Sequence, residues 1–197
     1  MGALFITFWL DVPLFAFGDR SLTLAILVDN VANISGASLR KTQAGAANVF
    51  RQAGVGTQWS ECSFREAELR DPPGCQLPLD VPAIIVKILP ETESESWPVP
   101  GRTLGFCQGK YVYILLPHVQ ALAEKRSLSM PLVLGHALAH EIGHALLGAG
   151  HTSESIMRSE FRPTDWGLAA KGQLLFTSND ALRLRRQLHR LAAGSSR

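Results

Sequence analysis

Two tyrosines and three cysteines are all that this 197-residue chain holds of those residue types. The cysteines, Cys62, Cys75 and Cys107, lack the close-pair spacing of a cysteine-rich zinc site, so that class of centre is disfavoured. Charge of one sign is scarce as well: 19 basic against 17 acidic residues leave a net charge of +2. So weak a field gives no argument for nucleic acid or an anionic membrane as partner. No internal repeat or low-complexity tract stands out. The apolar run from Ala3 to Leu10 is too short to span a bilayer, and no stable membrane span is expected.

The N-terminus lacks the positively charged start of an ordinary secretory leader, and Asp11 and Pro13 interrupt its apolar core. Ala16-Phe17-Gly18 nevertheless has the small-x-small form of a signal-peptidase site. Residues 1–20 are therefore expected to be an imperfect signal peptide or an N-terminal apolar segment, with a secreted or extracytoplasmic location. Residues 21–197 suit one domain, burying about 70% of the unfolded surface, and are expected to act as a monomer. In an oxidising compartment, a Cys62–Cys75 disulfide would close the loop that contains Asp71-Pro72-Pro73-Gly74. Cys107 would then remain as a buried thiol.

Strand and helix patterns alternate along the chain. Leu22 to Val28 is nearly continuously apolar and reads as a buried strand. Leu39, Ala46, Phe50 and Ala53 recur at helical spacing over about 35–53, with Gly54 as the stop. Strands are expected at Thr57 to Ser60 and Pro82 to Leu89. Thr103 to Cys107 and Tyr111 to Leu116 form a hairpin about Gln108-Gly109. Glu91 to Gly101, acidic and proline-bearing, reads as an exposed connection. Beyond Met157, Trp166 to Phe176 looks irregular. A helix then runs from Asn179 to about Leu191, capped by Thr177 or Ser178, with Leu184, Leu188 and Leu191 as its apolar stripe and a solvated face of Arg183, Arg186 and Arg190. The tail from Ala193 to Arg197 should fray.

The chemistry concentrates in His140-Glu141-Ile142-Gly143-His144, followed by His151 and Met157. A helix is expected over about Pro131 to Leu147, with Ser129 as a possible N-cap and Pro131 in its first turn. Leu138, Ile142, Ala145 and Leu146 form its apolar stripe. His140 and His144, one turn apart, project from another face and can hold one Zn²⁺ while Glu141 addresses its water. His136 lies one turn before His140, but no carboxylate follows it. It reads as a polar residue beside the site rather than a ligand.

The stretch resembles the metzincin peptidases, whose motif is His-Glu-x-x-His-x-x-Gly-x-x-His above a methionine turn. It departs by one residue: the first glycine is Gly148 where the motif puts it at position 147, and the third histidine is His151 where the motif puts it at 150. One extra residue rotates the helix exit by about 100°, which Gly148 and Gly150, flanking Ala149, have the conformational freedom to absorb. The resemblance implies His140, His144 and His151 as zinc ligands; Glu154, Glu160 and Asp165 stay open as rivals for the third place, since a carboxylate from a later segment completes the other large zincin group. The resemblance gives Met157, in Ser155-Ile156-Met157, a supporting role beneath the metal.

The resemblance further implies an α+β, zincin-like domain: a twisted mixed sheet of about five strands, an N-terminal helix, the zinc helix and a C-terminal helix. The Thr103 to Cys107 strand would be the antiparallel edge above the cleft, where a peptide or protein substrate adds as another strand. Some metzincins place a tyrosine beyond the methionine turn as an oxyanion donor, whereas Tyr111 and Tyr113 both lie upstream. The expected activity is zinc-dependent endopeptidase, with Glu141 as general base and then acid. A gluzincin-like peptidase and a non-catalytic zincin-like binding domain stay open beside it.

Overall fold

The computed structural model describes residues 22–63, 75, 81–97, 100 and 103–195. The expected leader segment, the Asp71 to Gly74 turn and the last two residues of the tail lie outside them. Five strands form one sheet: β1 (Thr23–Asp29), β2 (Gly56–Glu61), β3 (Ala83–Leu89), β4 (Gly105–Gln108) and β5 (Tyr111–Leu115). Their order is β2-β1-β3-β5-β4. β1 pairs in parallel with β2 and β3, and β3 in parallel with β5, while β4 is antiparallel to β5 and forms an edge. This is the mixed five-stranded sheet of an α+β domain that the resemblance implied.

The near-continuous apolarity of β1 and β3 follows from burial on both faces. Leu24, Ile26, Val28, Ile84, Val86, Ile88, Val112 and Ile114 face the main core. Leu27 and Ile85 face a smaller one that includes Cys62 and Cys75. These two cysteines form the expected disulfide, with Cα atoms 5.7 Å apart. Cys107 is free but only half-buried.

The main core lies between the sheet and the helices. α1 (Gly36–Gln52) starts at Ser35, whose hydroxyl accepts from the Ser38 amide. Its buried residues Leu39, Thr42, Ala46, Val49 and Phe50 form one helical face. That face packs on the central helix α4 (Met130–Leu147), which also touches β4, β5 and the C-terminal helix α6 (Ser178–Ser195). The close packing of α1 on α4 needs Gly135, because a Cβ there would come within 2.9 Å of the Thr42 carbonyl oxygen. α4 is buried on all sides from Val133 to Gly143. Its middle is thus a core helix rather than a one-faced amphipathic one, and Ala145 is only half-buried. Pro131 sits in its first turn as expected, but the Ser129 hydroxyl makes no capping bond.

Three helices correct the sequence expectation. α2 (Glu91–Ser94) is a single turn inside the acidic connection. α3 (Leu116–Arg126) takes over directly from β5, so Leu116 opens a helix instead of ending a strand. Its Pro117 lies in the first turn, where a missing N–H is tolerated. α5 (Pro163–Ala170) replaces part of the segment expected to be irregular, and Arg162 and Asp165 close its N-terminus reciprocally. α6 runs past the expected end to Ser195, and Leu191 is 39% exposed rather than part of the buried stripe. Thr177 caps it by accepting from the Asp180 amide at 3.0 Å. Among the described residues no helix is long and apolar enough to cross a membrane.

Candidate metal centre

α4 delivers His140 and Glu141 buried, and His144 half-buried near its C-terminal end. The helix ends at Gly148, which adopts φ +87°, a left-handed value that a side chain would resist. Gly150 does not share this conformation, so one glycine makes the exit. The chain then returns His151 to the two helical histidines. Nε2 of His144 lies 2.9 Å from Nε2 of His140 and 3.2 Å from Nε2 of His151. All three donor nitrogens fall within 4.8 Å of one another. The off-by-one spacing is therefore absorbed by the loop, and among the described residues no carboxylate joins the cluster.

The hydrogen bonds behind the rings show what the cluster is built for. His140 Nδ1 donates to the Ile156 carbonyl oxygen at 2.7 Å, and His144 Nδ1 donates to the Gly148 carbonyl oxygen at 3.3 Å. A carbonyl only accepts, so in the neutral rings the proton sits on Nδ1 and the Nε2 lone pairs are left bare. Two bare lone pairs 2.9 Å apart repel unless a cation lies between them. Tetrahedral zinc, with bonds to imidazole of about 2.0–2.1 Å, spaces its ligand nitrogens by about 3.3 Å. The side chains fit such an ion in number, chemical type and spacing.

Protonation points the same way. Burial pushes the His140 imidazole down to about 4, with His144 and His151 adding to the effect against the Ile156 bond. His144 is likewise lowered by burial. Both rings are therefore neutral at physiological pH, as a metal ligand must be. Glu141 Oε1 stands 4.0 Å from His140 Nε2, and burial raises its carboxyl to about 7. A carboxylate tuned to this range beside a metal site has the proton affinity of a general base.

Met157 is 1% exposed and packs against α4 at Gly143. A Cβ on Gly143 would come within 2.5 Å of its sulfur, so the glycine inside the motif makes room for the methionine turn. Ser155 holds that turn, its hydroxyl accepting from the Met157 amide at 3.0 Å. His136 takes no part in the cluster. Its Nδ1 donates to the Leu132 carbonyl at 2.8 Å and its ring meets Trp166 edge-on.

The cluster opens into a cleft of about 970 Å³. One wall is the edge strand with the residues before it, Thr103 to Cys107; another is α3, through His118, Leu122, Lys125 and Arg126; a third is the segment from Arg158 to Phe161. A Cβ on Gly105 would meet the Tyr113 carbonyl oxygen at 2.6 Å and Glu141 Cγ at 3.0 Å, so only glycine lets the strand pass this close to Glu141. Cys107 also faces inward: burial, and then the charge of Glu141, push its thiol above the usual range.

Of the rival carboxylates, Glu160 lines the cleft, Glu154 is exposed, and Asp165 is committed to Arg158 and the Arg162 amide. The sequence did not single out His118, Arg158 or Phe161. For Arg158 a signal was present, a lone cation directly after the methionine of the turn. Phe161 packs edge-on against both His140 and Trp166.

The chain is similar in structure to archaemetzincin from Methanopyrus kandleri. The likeness has a TM-score of 0.49 at 15% sequence identity and covers 88% of this chain and 99% of that one. No family model and no curated protein sequence matches the chain. What the site can do is therefore decided by its own side chains.

Proposed function

We propose that this chain is a zinc-dependent metalloendopeptidase. The observation that carries the proposal is the position of Glu141, a buried carboxyl 4.0 Å from the nitrogen on which the histidine cluster converges. A purely structural zinc is enclosed by four protein ligands and has no use for a base beside it. Here three imidazoles would hold the ion, leaving a position open to the cleft. When bound, such an ion would supply Lewis acidity, lowering the pKa of water to about 7 and polarising a carbonyl.

The protein's own groups do the rest. His140 and His144 keep their lone pairs aimed at the ion because Ile156 and Gly148 fix the Nδ1 protons. Glu141 takes a proton from the attacking water and passes it to the leaving amine. The open edge of β4 pairs with an extended peptide and sets the scissile bond above Glu141. The Cys62–Cys75 disulfide supports a secreted or otherwise oxidising location.

The test is turnover of a quenched peptide library by zinc-loaded protein, with chelator and Glu141→Gln controls. Cleavage that disappears in both controls, while Glu141→Gln still binds zinc, is expected. Full activity in zinc-loaded Glu141→Gln refutes the mechanism, and no cleavage by the wild type leaves a binding domain.

A further inference from the structure

Arg158 has a position that the proton chemistry does not use. Its side chain is only 12% exposed and yet it lines the metal cleft. Burying a guanidinium is costly unless its donors are matched. Asp165 matches one side only: its Oδ2 lies 3.2 Å from Arg158 Nε, off the line of a full hydrogen bond. Among the described residues no other carboxylate is paired with Arg158.

Asp165 is itself 6% exposed and fixed at the start of α5, where it accepts from the Arg162 amide at 2.7 Å. The guanidinium is thus tethered by its Nε edge to a rigid helix start, with its terminal Nη donors left over. Two parallel N–H groups match a carboxylate in a bidentate fork. The backbone sets the residue's place: the Arg158 amide donates to the Ser155 carbonyl at 3.1 Å within the turn that also supports His140.

We propose that Arg158 binds a carboxylate of the peptide substrate within the cleft, through the Nη edge that Asp165 leaves free. Carboxylates are the anionic groups of an unmodified peptide, whether at the C-terminus or on Asp and Glu side chains. Lys125 and Arg126 on the α3 wall give the same cleft further positive charge. His118 is held in place there, its Nδ1 bonded to the Thr103 carbonyl at 2.7 Å. The inference rests on the peptidase proposal for the kind of ligand, but its test does not depend on turnover.

The experiment measures binding to zinc-loaded Glu141→Gln protein, so that nothing is cleaved. One random peptide library is prepared as C-terminal free acids, as C-terminal amides, and as amides with Asp and Glu replaced by Asn and Gln. A preference of about tenfold or more for one carboxylate form over its neutral counterpart is expected, the size of a charge-assisted pair. The free-acid and side-chain arms show which carboxylate is read. Arg158→Gln combined with Asp165→Asn, which leaves no orphan buried charge, should bring the preference within twofold at unchanged zinc content. If that double variant does not hold zinc, Arg158→Lys is used in its place, and its preference should fall at least threefold.

Equal binding of all three libraries, or a preference that persists in the variants, overturns the proposal. A preference in a protein whose wild type cleaves nothing leaves Arg158 in place and removes only the peptidase. Cleavage without a preference does the reverse.

Discussion

His140 donates through Nδ1 to the carbonyl oxygen of Ile156 at 2.7 Å, which ties the first imidazole of the cluster to the residue before Met157. The methionine turn thus fixes the tautomer of a proposed metal ligand through a backbone carbonyl. Anything that lifts the turn should loosen the metal without touching a ligand.

Gly143→Ala tests this directly. The new Cβ would sit 2.5 Å from Met157 Sδ and 3.0 Å from a Phe176 ring carbon. Overpacking of this kind typically costs about 1–3 kcal/mol. A lower melting temperature together with at least tenfold weaker zinc affinity is expected, read by calorimetry and a competing chelator. Unchanged zinc affinity in a destabilised variant would separate the turn from the metal.

Gly105→Ala should act on Glu141 instead. Its Cβ would meet the Tyr113 carbonyl oxygen at 2.6 Å and Glu141 Cγ at 3.0 Å, so either the edge strand or the carboxylate must move. Zinc content should hold while turnover falls by at least tenfold. Normal turnover would mean that the strand has slack at this point.

Three buried histidines should weaken the metal-free fold as pH falls below about 6.5, whereas Glu141, raised by burial to about 7, acts in the opposite sense. Burial lowers His136, its bond to Leu132 opposing, and it lowers His140 and His144 as well. A lowered imidazole takes up fewer protons folded than unfolded, so its contribution is intact above about pH 6.5 and is lost as pH falls from there toward the folded value. Each such group adds a slope of up to about 1.4 kcal/mol per pH unit. His136→Gln should reduce the slope of unfolding free energy against pH below 6.5, measured by urea titration. An unchanged slope would show that His136 is protonated in the native state.

The disulfide spans a sequence separation of 13 residues, and closing a loop of that size stabilises by about 3 kcal/mol. Cys62→Ser combined with Cys75→Ser should lower the unfolding free energy by about that amount and leave zinc binding intact, since the bridge lies in the smaller core. Loss of zinc binding would mean that the two faces of the sheet are coupled.

Local pattern made much of this legible in the sequence. β1 and β3 were readable because strands buried on both faces are apolar throughout, and α4 because its histidines and apolar residues share a helical period. α3 was hidden because Leu115-Leu116-Pro117 continues the apolar run of β5, and only tertiary packing turns that run into a helix. α5, at eight residues, is too short for periodicity to announce it. Leu191 was misplaced because a helical stripe predicts burial only as far as the core extends beneath it. At the site, His151 was readable as a residue type at a near-correct distance. The bonds to Ile156 and Gly148 involve backbone carbonyls, which no residue identity encodes. Gly105 and Arg158 matter through what stands opposite them across the cleft, and sequence order does not bring those neighbours together.

The central claim is that three imidazoles hold the ion, and zinc K-edge absorption on the loaded protein and on His151→Ala reads it most directly. The account predicts three imidazole nitrogens and a non-protein oxygen in the wild type, one imidazole fewer in the variant, and a zinc affinity at least tenfold weaker. An unchanged spectrum and affinity in His151→Ala, or a protein carboxylate or a Cys107 sulfur in the wild-type shell, would contradict it.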